Sequence, residues 1–369
     1  MRRAPAGVRH AAHPPLLHER ERRPRARRPA DGRQPGRRRP PGGVSVEREE
    51  QIRADLERYL GEPVRDVRPI PEGHSGFTYW VQLDGRRTVM RLPPPGARIA
   101  GPADIPRQGR LMDALHRHGL PVPAVLRMTD EPVVDGRPFY LLEAVDGDRI
   151  EKVVGTVSNE RIAASAVDVL KQLQRVPLAE SGIGDEPPAS LDYEIGRWTW
   201  LMDRAPVELT GEAPAVAELL RTTRPPERPP VLVHADFHYG NMLFRDGRVV
   251  ALLDWEIAQV GQPLLDLACL MVVAQASRSG TERVPGGGAV AVPDEVLLTL
   301  YGADSAEFRW YLGFTYYKYA AIFGYNLMLH RRGKRPDPSY EERTTTIMDF
   351  IAEAHRLLRR GDGDHREVG

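Results

Sequence analysis

Residues 231–270 read VLVHADFHYGNMLFRDGRVVALLDWEIAQVGQPLLDLACL, and this stretch carries the strongest structural and chemical pattern in the chain. It begins with a short apolar segment, which is followed by Asp236 and Asn241. An Asp-Gly dipeptide then joins two further apolar segments, which is a strong signal for a β-hairpin. The second of these segments ends at Asp254. The pattern therefore predicts a strand, a loop and a hairpin that bring three polar side chains to one end of a small sheet.

These three side chains have the chemistry that phosphoryl transfer requires. That reaction needs a carboxylate to orient the attacking hydroxyl and oxygen ligands to hold Mg²⁺ against the phosphates. Asp236 suits the first role, and Asn241 and Asp254 suit the second. The H-x-D-x-x-x-x-N spacing that begins at His234 is that of a kinase catalytic loop. Each residue alone could be an ordinary turn residue, so the interpretation depends on their combination.

A metal hydrolase is an alternative for the same segment. His234, Asp236 and His238 form an H-x-D-x-H pattern, which also occurs at metal sites, and Asp254 could be a fourth ligand. This alternative leaves Asn241 without a role, and it does not explain a Gly-containing hairpin earlier in the chain. Phosphoryl transfer is therefore the favoured interpretation.

Charge is distributed unevenly along the chain. The formal net charge is +1, but residues 1–45 hold 13 arginines and only three acids. This Arg- and Pro-rich segment is predicted to be a disordered tail, because it cannot bury enough apolar surface to fold. Residues 46–369 hold 39 Lys and Arg against 48 Asp and Glu, so they are acidic. A basic surface for nucleic acid is not predicted for them.

Cys269 is the single cysteine, so an intramolecular disulfide cannot form, which fits a cytoplasmic location. It lies in the apolar run 264–274, and this favours a buried structural thiol over a nucleophile. The run is too short to span a bilayer and contains Asp266, so an association with membranes is not predicted.

Hydrophobic periodicity predicts a first half that contains a sheet and a second half that is mostly helical. Predicted helices lie at Val46–Leu60, 106–118, 159–176, 191–203, 264–274, 294–301, 306–329 and 340–359, and predicted strands at 66–71, 77–83, 88–92, 138–145, 231–233, 242–244 and 249–253. This order of elements predicts an α+β fold with two lobes.

The segment 231–270 closely resembles the signature region of the aminoglycoside/choline-kinase-like phosphotransferase family, including the bacterial branch related to kinase-like domains joined to acyl-CoA dehydrogenases. The resemblance covers about residues 46–360. It implies a protein-kinase-like fold with an antiparallel-sheet lobe and a mostly helical lobe, ATP between the lobes, Mg²⁺ as cofactor and a small-molecule hydroxyl as acceptor. The implied roles are catalytic base for Asp236, metal ligands for Asn241 and Asp254, loop support for His234, and a brace for the catalytic loop for Asp266.

The resemblance also implies nucleotide-binding residues in the first half. Ser75 and Gly76 lie in a loop that would approach the phosphates, and Glu143 resembles the inter-lobe hinge beside the adenine. Arg91 stands where the family places its phosphate-pairing lysine, and Gln108 stands where a kinase places the glutamate that pairs with it. These two departures keep open a second alternative, a nucleotide-binding pseudokinase or regulatory module.

The predicted organisation has three parts. Residues 1–45 form the tail, residues 46–142 the nucleotide-binding lobe, and residues 143–369 the lobe with the catalytic loop, the metal site and the acceptor pocket.

Overall fold

The computed structural model describes residues 46–70, 77–278 and 290–363, so the predicted tail lies outside the described residues. The described chain divides into two compact units. The first comprises the described residues up to Pro106 together with Arg127–Leu141, and the second comprises Arg107–Leu126 together with the described residues from Leu142 onward. The sequence predicted a single boundary at residue 142, whereas the chain passes between the units three times.

A five-stranded sheet with one helix forms the first unit. The sheet has the order β1-β2-β3-β5-β4, and β2 pairs antiparallel with both β1 and β3. The elements are α1 (Val46–Leu60), β1 (Val64–Pro69), β2 (Phe77–Leu83), β3 (Arg86–Leu92), β4 (Val125–Val134) and β5 (Arg137–Glu143). The ends of β4 and β5 extend by a few residues into the segments assigned to the second unit.

Side-chain alternation along β2 builds the core of the first unit. Tyr79, Val81 and Leu83 are fully buried, since residues two apart point to the same face of a strand. Ile52 and Leu56 of α1 belong to the same cluster of buried residues. The helix therefore covers the apolar face of the sheet, as its periodicity predicted.

Strand β4 was not predicted from the sequence. It contains the polar run Asp130-Glu131 followed by Pro132, a composition that opposes a strand. The order of the sheet places β4 at an edge, where a proline is tolerated because its missing N–H would face away from the ladder.

Helices make up most of the second unit. They are α2 (Ile105–Arg117), α3 (Ile150–Val153), α4 (Asn159–Arg175), α5 (Leu191–Met202), α6 (Ala213–Thr222), α7 (Leu264–Arg278), α8 (Asp294–Tyr301), α9 (Ser305–Arg331) and α10 (Thr344–Gly363), with α2 starting at the unit boundary. Helix α9 contacts α5, α6, α7 and α10, and most of its residues are buried. It is therefore the central helix of this unit.

Two short antiparallel ladders complete the second unit. Strand β6 (Val231–Val233) pairs with β9 (Gln259–Gly261), and β7 (Met242–Arg245) pairs with β8 (Arg248–Leu252). The turn between β7 and β8 has positive φ at both Asp246 (51°) and Gly247 (73°), which is the signature of a type I′ hairpin. The predicted hairpin is thus present.

This arrangement of a sheet unit and a mostly helical unit confirms the predicted α+β class. Strand β9 and helix α6 were missed: β9 has only three residues, and α6 follows a Gly- and Pro-containing segment that favours a loop. Within the described residues, none of the helices combines the length and the apolar character needed to cross a bilayer.

Candidate active site

The predicted catalytic loop connects β6 to β7, and the two ladders fix its ends. The loop 234–241 begins where β6 ends. Strand β6 pairs with β9, which lies a few residues after Asp254 in the sequence. The backbone N–H of Leu253 donates to the carbonyl of Asn241 at 2.8 Å. The ladders therefore place Asn241 against Leu253, the residue that precedes Asp254, although Asn241 and Leu253 lie 12 positions apart in the sequence.

Asp266 braces the start of this loop. It lies in the first turn of α7 and is fully buried. Its carboxylate accepts the backbone N–H of His234 at 2.7 Å and that of Ala235 at 2.8 Å. Ala235 has a φ of 67°, which is unusual for a residue other than glycine, and the two hydrogen bonds hold it there. Burial raises the pKa of Asp266 to about 6, against the opposing effect of the two N–H donors.

His234 is a neutral structural element of the loop. Its Nδ1 accepts the backbone N–H of Asp236 at 3.3 Å, so the proton lies on Nε2, which donates to the carbonyl of Leu253 at 2.7 Å. Complete burial lowers the pKa of His234 to about 4. Because both ring nitrogens are engaged with the backbone, His234 is not placed to ligate a metal, and this disfavours the metal-hydrolase alternative.

The neutral state of His234 predicts acid sensitivity of the fold. Between pH 6.5 and about 4 the unfolded chain binds a proton that the folded chain does not, so stability falls as the pH falls. Relative to a His234→Gln variant, the free energy of unfolding of the parent should decrease by about 3 kcal/mol from pH 7 to pH 4. The raised pKa of Asp266 makes the free energy of unfolding increase as the pH falls. This contribution is the same in the parent and in the variant, so it cancels in the difference between their free energies of unfolding.

The measurement for this prediction is urea denaturation of both proteins across that pH range. A difference between parent and variant that does not change with pH would show that His234 is not buried in its neutral form.

Three donors surround the carboxylate of Asp236. Tyr319 donates its hydroxyl to Oδ1 at 2.9 Å, the amide nitrogen of Asn241 lies 3.2 Å from Oδ2, and Nε2 of His238 lies 3.5 Å from Oδ2. Burial alone would raise the pKa of Asp236, but the neighbouring N–H of His238 and the charge of Lys318 hold that pKa well below its usual range. The side chain is 28% exposed, so an ionised carboxylate reaches the surface of the unit.

The side chains of Asn241 and Asp254 carry oxygens of the kind that a magnesium ion binds. The amide nitrogen of Asn241 also donates to the carbonyl of Asp236 at 2.9 Å, which fixes the orientation of the amide and assigns its oxygen as the remaining acceptor. Asp254 follows directly after β8 and Leu253, with a φ of 64°. One amide and one carboxylate oxygen suit Mg²⁺, which binds few protein ligands and completes its shell with water and phosphate. The described residues contain no group of three His, Cys, Asp or Glu side chains arranged for a metal.

The predicted nucleotide-binding residues are distributed over both units. Arg91 lies in β3 of the first unit and is almost completely buried, and Gln108 lies in α2 of the second unit and is also buried. Glu143 is exposed at the end of β5, and its backbone N–H donates to the carbonyl of Ala124 at 2.9 Å. An adenine contact at Glu143 would therefore use its carbonyl. Ser75 and Gly76 lie outside the described residues.

Sequence reasoning did not identify Tyr319 and Lys318 as parts of this site. Tyr319 is one of several aromatic residues on the helices of the second unit, and most of these aromatic residues are buried. Its contact with Asp236 joins two residues that lie 83 positions apart in the sequence. A local sequence pattern does not predict a contact over such a distance.

Known protein sequences are similar to large parts of this chain. A family model described as the phosphotransferase enzyme family matches residues 66–311. Mouse acyl-CoA dehydrogenase family member 10 is 30% identical over 211 residues, which cover 53% of this chain and 19% of that protein. Chicken family member 11 is 30% identical over 251 residues, or 62% of this chain and 32% of that protein. The chain therefore spans about a fifth to a third of the length of these relatives. Homoserine kinase of Pseudomonas aeruginosa is 29% identical over 225 residues, which cover 58% of this chain and 68% of that protein.

Solved structures share the architecture. An aminoglycoside-phosphotransferase-like protein from Ralstonia eutropha aligns with a TM-score of 0.67 at 20% identity, covering 83% of this chain and 98% of that chain. A thermostable mutant of an aminoglycoside phosphotransferase, in a ternary complex with ADP and hygromycin B, aligns with a TM-score of 0.55 at 17% identity and covers 85% of this chain and 99% of that chain. At these identities the similarity establishes a shared fold.

Proposed function

Because the chain belongs to the phosphotransferase enzyme family, and its fold is that of the kinase-like aminoglycoside phosphotransferases, we propose that it transfers the γ-phosphate of ATP to a hydroxyl of a small molecule. The transfer depends on Mg²⁺. The observation that carries the proposal is the ionised carboxylate of Asp236, which is partly exposed and held in one orientation beside Asn241.

In the proposed reaction, Asp236 orients the acceptor hydroxyl and receives its proton. The hydroxyl oxygen forms a bond to the γ-phosphorus, and the bond from that phosphorus to the bridging oxygen breaks, so that ADP leaves. The low pKa of Asp236 makes its carboxylate a positioning group first and a weak base second, which suits a transition state with little bond formation to the nucleophile.

Asn241 and Asp254 would hold Mg²⁺, which neutralises charge on the phosphates when bound. The hydrogen bond from Asn241 to Asp236 ties the metal site to the catalytic carboxylate. Arg91, Gln108, Ser75, Gly76 and Glu143 are proposed to contact the nucleotide. His234 and Asp266 support the loop without touching substrate.

The test is a search for phosphorylated product in a pooled set of hydroxyl compounds with Mg²⁺ and ATP. The pool contains homoserine, an aminoglycoside, choline, a simple sugar and a hydroxyacyl thioester, and products are identified by mass spectrometry. A new phosphate ester that requires both ATP and Mg²⁺ is the expected result. ATP that binds in a Mg²⁺-dependent way without product from any acceptor would favour the pseudokinase alternative, for which Arg91 and Gln108 are the supporting features.

A further inference from the structure

Helix α9 reaches the catalytic loop with two adjacent side chains, Lys318 and Tyr319. Their contacts are to Ala235 and Asp236, two consecutive residues of the loop. All four residues belong to the second unit. The central helix of this unit therefore touches the loop at the catalytic carboxylate itself, in addition to the brace that Asp266 provides from α7.

Tyr319 is buried and donates its hydroxyl to Asp236. The side chain is 5% exposed, and its ring stacks on Phe323 with a centroid distance of 6.1 Å. Burial, with the neighbouring charge of Asp236, raises the pKa of Tyr319 well above its ordinary value, so the phenol keeps its proton at any working pH. A buried phenol that donates to a carboxylate at 2.9 Å forms a charge-assisted hydrogen bond.

Lys318 fixes the position of this part of α9 relative to the loop. Its ammonium group donates to the carbonyl of Ala235, and it lies 3.5 Å from Sγ of Cys269 and 5.4 Å from the ring centre of Trp198. The ammonium is almost completely buried. Cys269, whose pKa is raised to about 11 by burial, is a packing partner for the ammonium and no nucleophile.

The two carboxylate oxygens of Asp236 have different hydrogen-bond partners. Oδ1 has a short hydrogen bond from the buried side, whereas the two contacts of Oδ2, to Asn241 and His238, are longer at 3.2 and 3.5 Å. Nδ1 of His238 accepts the N–H of Gly240, so Nε2 carries the proton of the neutral ring and faces Oδ2 as a donor.

We propose that Tyr319 is a positioning residue for phosphoryl transfer, which locks the Asp236 carboxylate through Oδ1 in the orientation that receives the acceptor hydroxyl. The assignment rests on the proposed function. Without the phenol hydroxyl, the carboxylate can rotate about its Cβ–Cγ bond and loses the orientation that transfer requires.

The experiment compares Tyr319→Phe with Tyr317→Phe in steady-state transfer from Mg²⁺–ATP to the acceptor found in the pooled screen. Tyr317 is a matched control, because it is a buried tyrosine on the same helix whose hydroxyl donates to Thr199 at 3.3 Å. Loss of a hydrogen bond to a charged group predicts a kcat lower by roughly 10- to 100-fold for Tyr319→Phe, with KM for ATP unchanged. Tyr317→Phe should retain the kcat of the parent.

Each result has one meaning. An active parent with an equally active Tyr319→Phe variant overturns the assignment and leaves the proposed function intact. An effect on KM for ATP alone, or a Tyr319→Phe variant that fails to fold while Tyr317→Phe folds, also overturns it in favour of a structural role. A parent that phosphorylates no acceptor overturns the proposed function, and the assignment with it.

Discussion

Replacement of Asp236 by asparagine should lower kcat for phosphate transfer by about 10³-fold at saturating ATP and acceptor. The substitution keeps the shape of the side chain but removes the negative charge that three donors surround. The new amide N–H₂ group also faces at least one of those donors. The side chain therefore loses its fixed orientation and no longer accepts the hydrogen bond from the substrate hydroxyl in the same way. The measurement is the initial rate of product formation for the variant and the parent.

Asp246→Asn is the matched control for this prediction. Asp246 occupies the exposed type I′ turn between β7 and β8, where asparagine adopts a positive φ as readily as aspartate. This variant should have the kcat of the parent. A kcat for Asp236→Asn within about tenfold of the parent would contradict the assigned role, because general-base catalysis and orientation contribute more than that.

Replacement of Asp266 by asparagine should reduce the free energy of unfolding by about 1 to 2 kcal/mol at pH 7. The parent carboxylate accepts two backbone N–H groups in a fully buried position. An amide offers one oxygen, so one of the N–H groups would face an N–H₂ group and remain buried without an acceptor. Ala235 would lose a bond that holds its positive φ. Chemical denaturation of both proteins measures the effect.

Asp304→Asn provides the comparison for Asp266. Asp304 caps α9 and also accepts two backbone N–H groups, those of Ala306 and Glu307, but it is exposed. Asparagine is an equally good N-cap, so this change should cost less than about 0.5 kcal/mol. If Asp266→Asn reduced the free energy of unfolding as little as Asp304→Asn does, this would contradict the claim that Asp266 stabilises the catalytic loop from α7.

The local part of the candidate site could be predicted from the sequence because its geometry follows from short strands. Asp236, Asn241 and Asp254 lie within one strand, one loop and one hairpin, and the Asp-Gly turn fixes how the chain returns. The brace by Asp266 was implied only by the family resemblance. The hydrogen bonds found here support that interpretation with specific atoms, Oδ1 and Oδ2, which spacing alone does not specify.

The contribution of α9 could not be predicted, for a physical reason. A helix that is buried on most sides has no apolar stripe, so periodicity does not mark which positions face the loop. Tyr316, Tyr317 and Tyr319 are the same residue type in neighbouring positions. Tyr319 differs from the other two in its tertiary contact with Asp236, which the sequence does not show. Strand β4 escaped prediction differently, because its position at the edge of the sheet permits a polar, proline-containing sequence.

The most direct test of the central claim follows label from the γ-phosphate of ATP in the presence of Mg²⁺ and the identified acceptor. The account predicts that the label appears in a phosphate ester of the acceptor, one molecule for each ADP formed, and that Asp236→Asn slows its appearance by about 10³-fold. Label that appears only in inorganic phosphate, or at equal rates in the parent and in Asp236→Asn, would contradict the claim that this site transfers phosphate to a small-molecule hydroxyl.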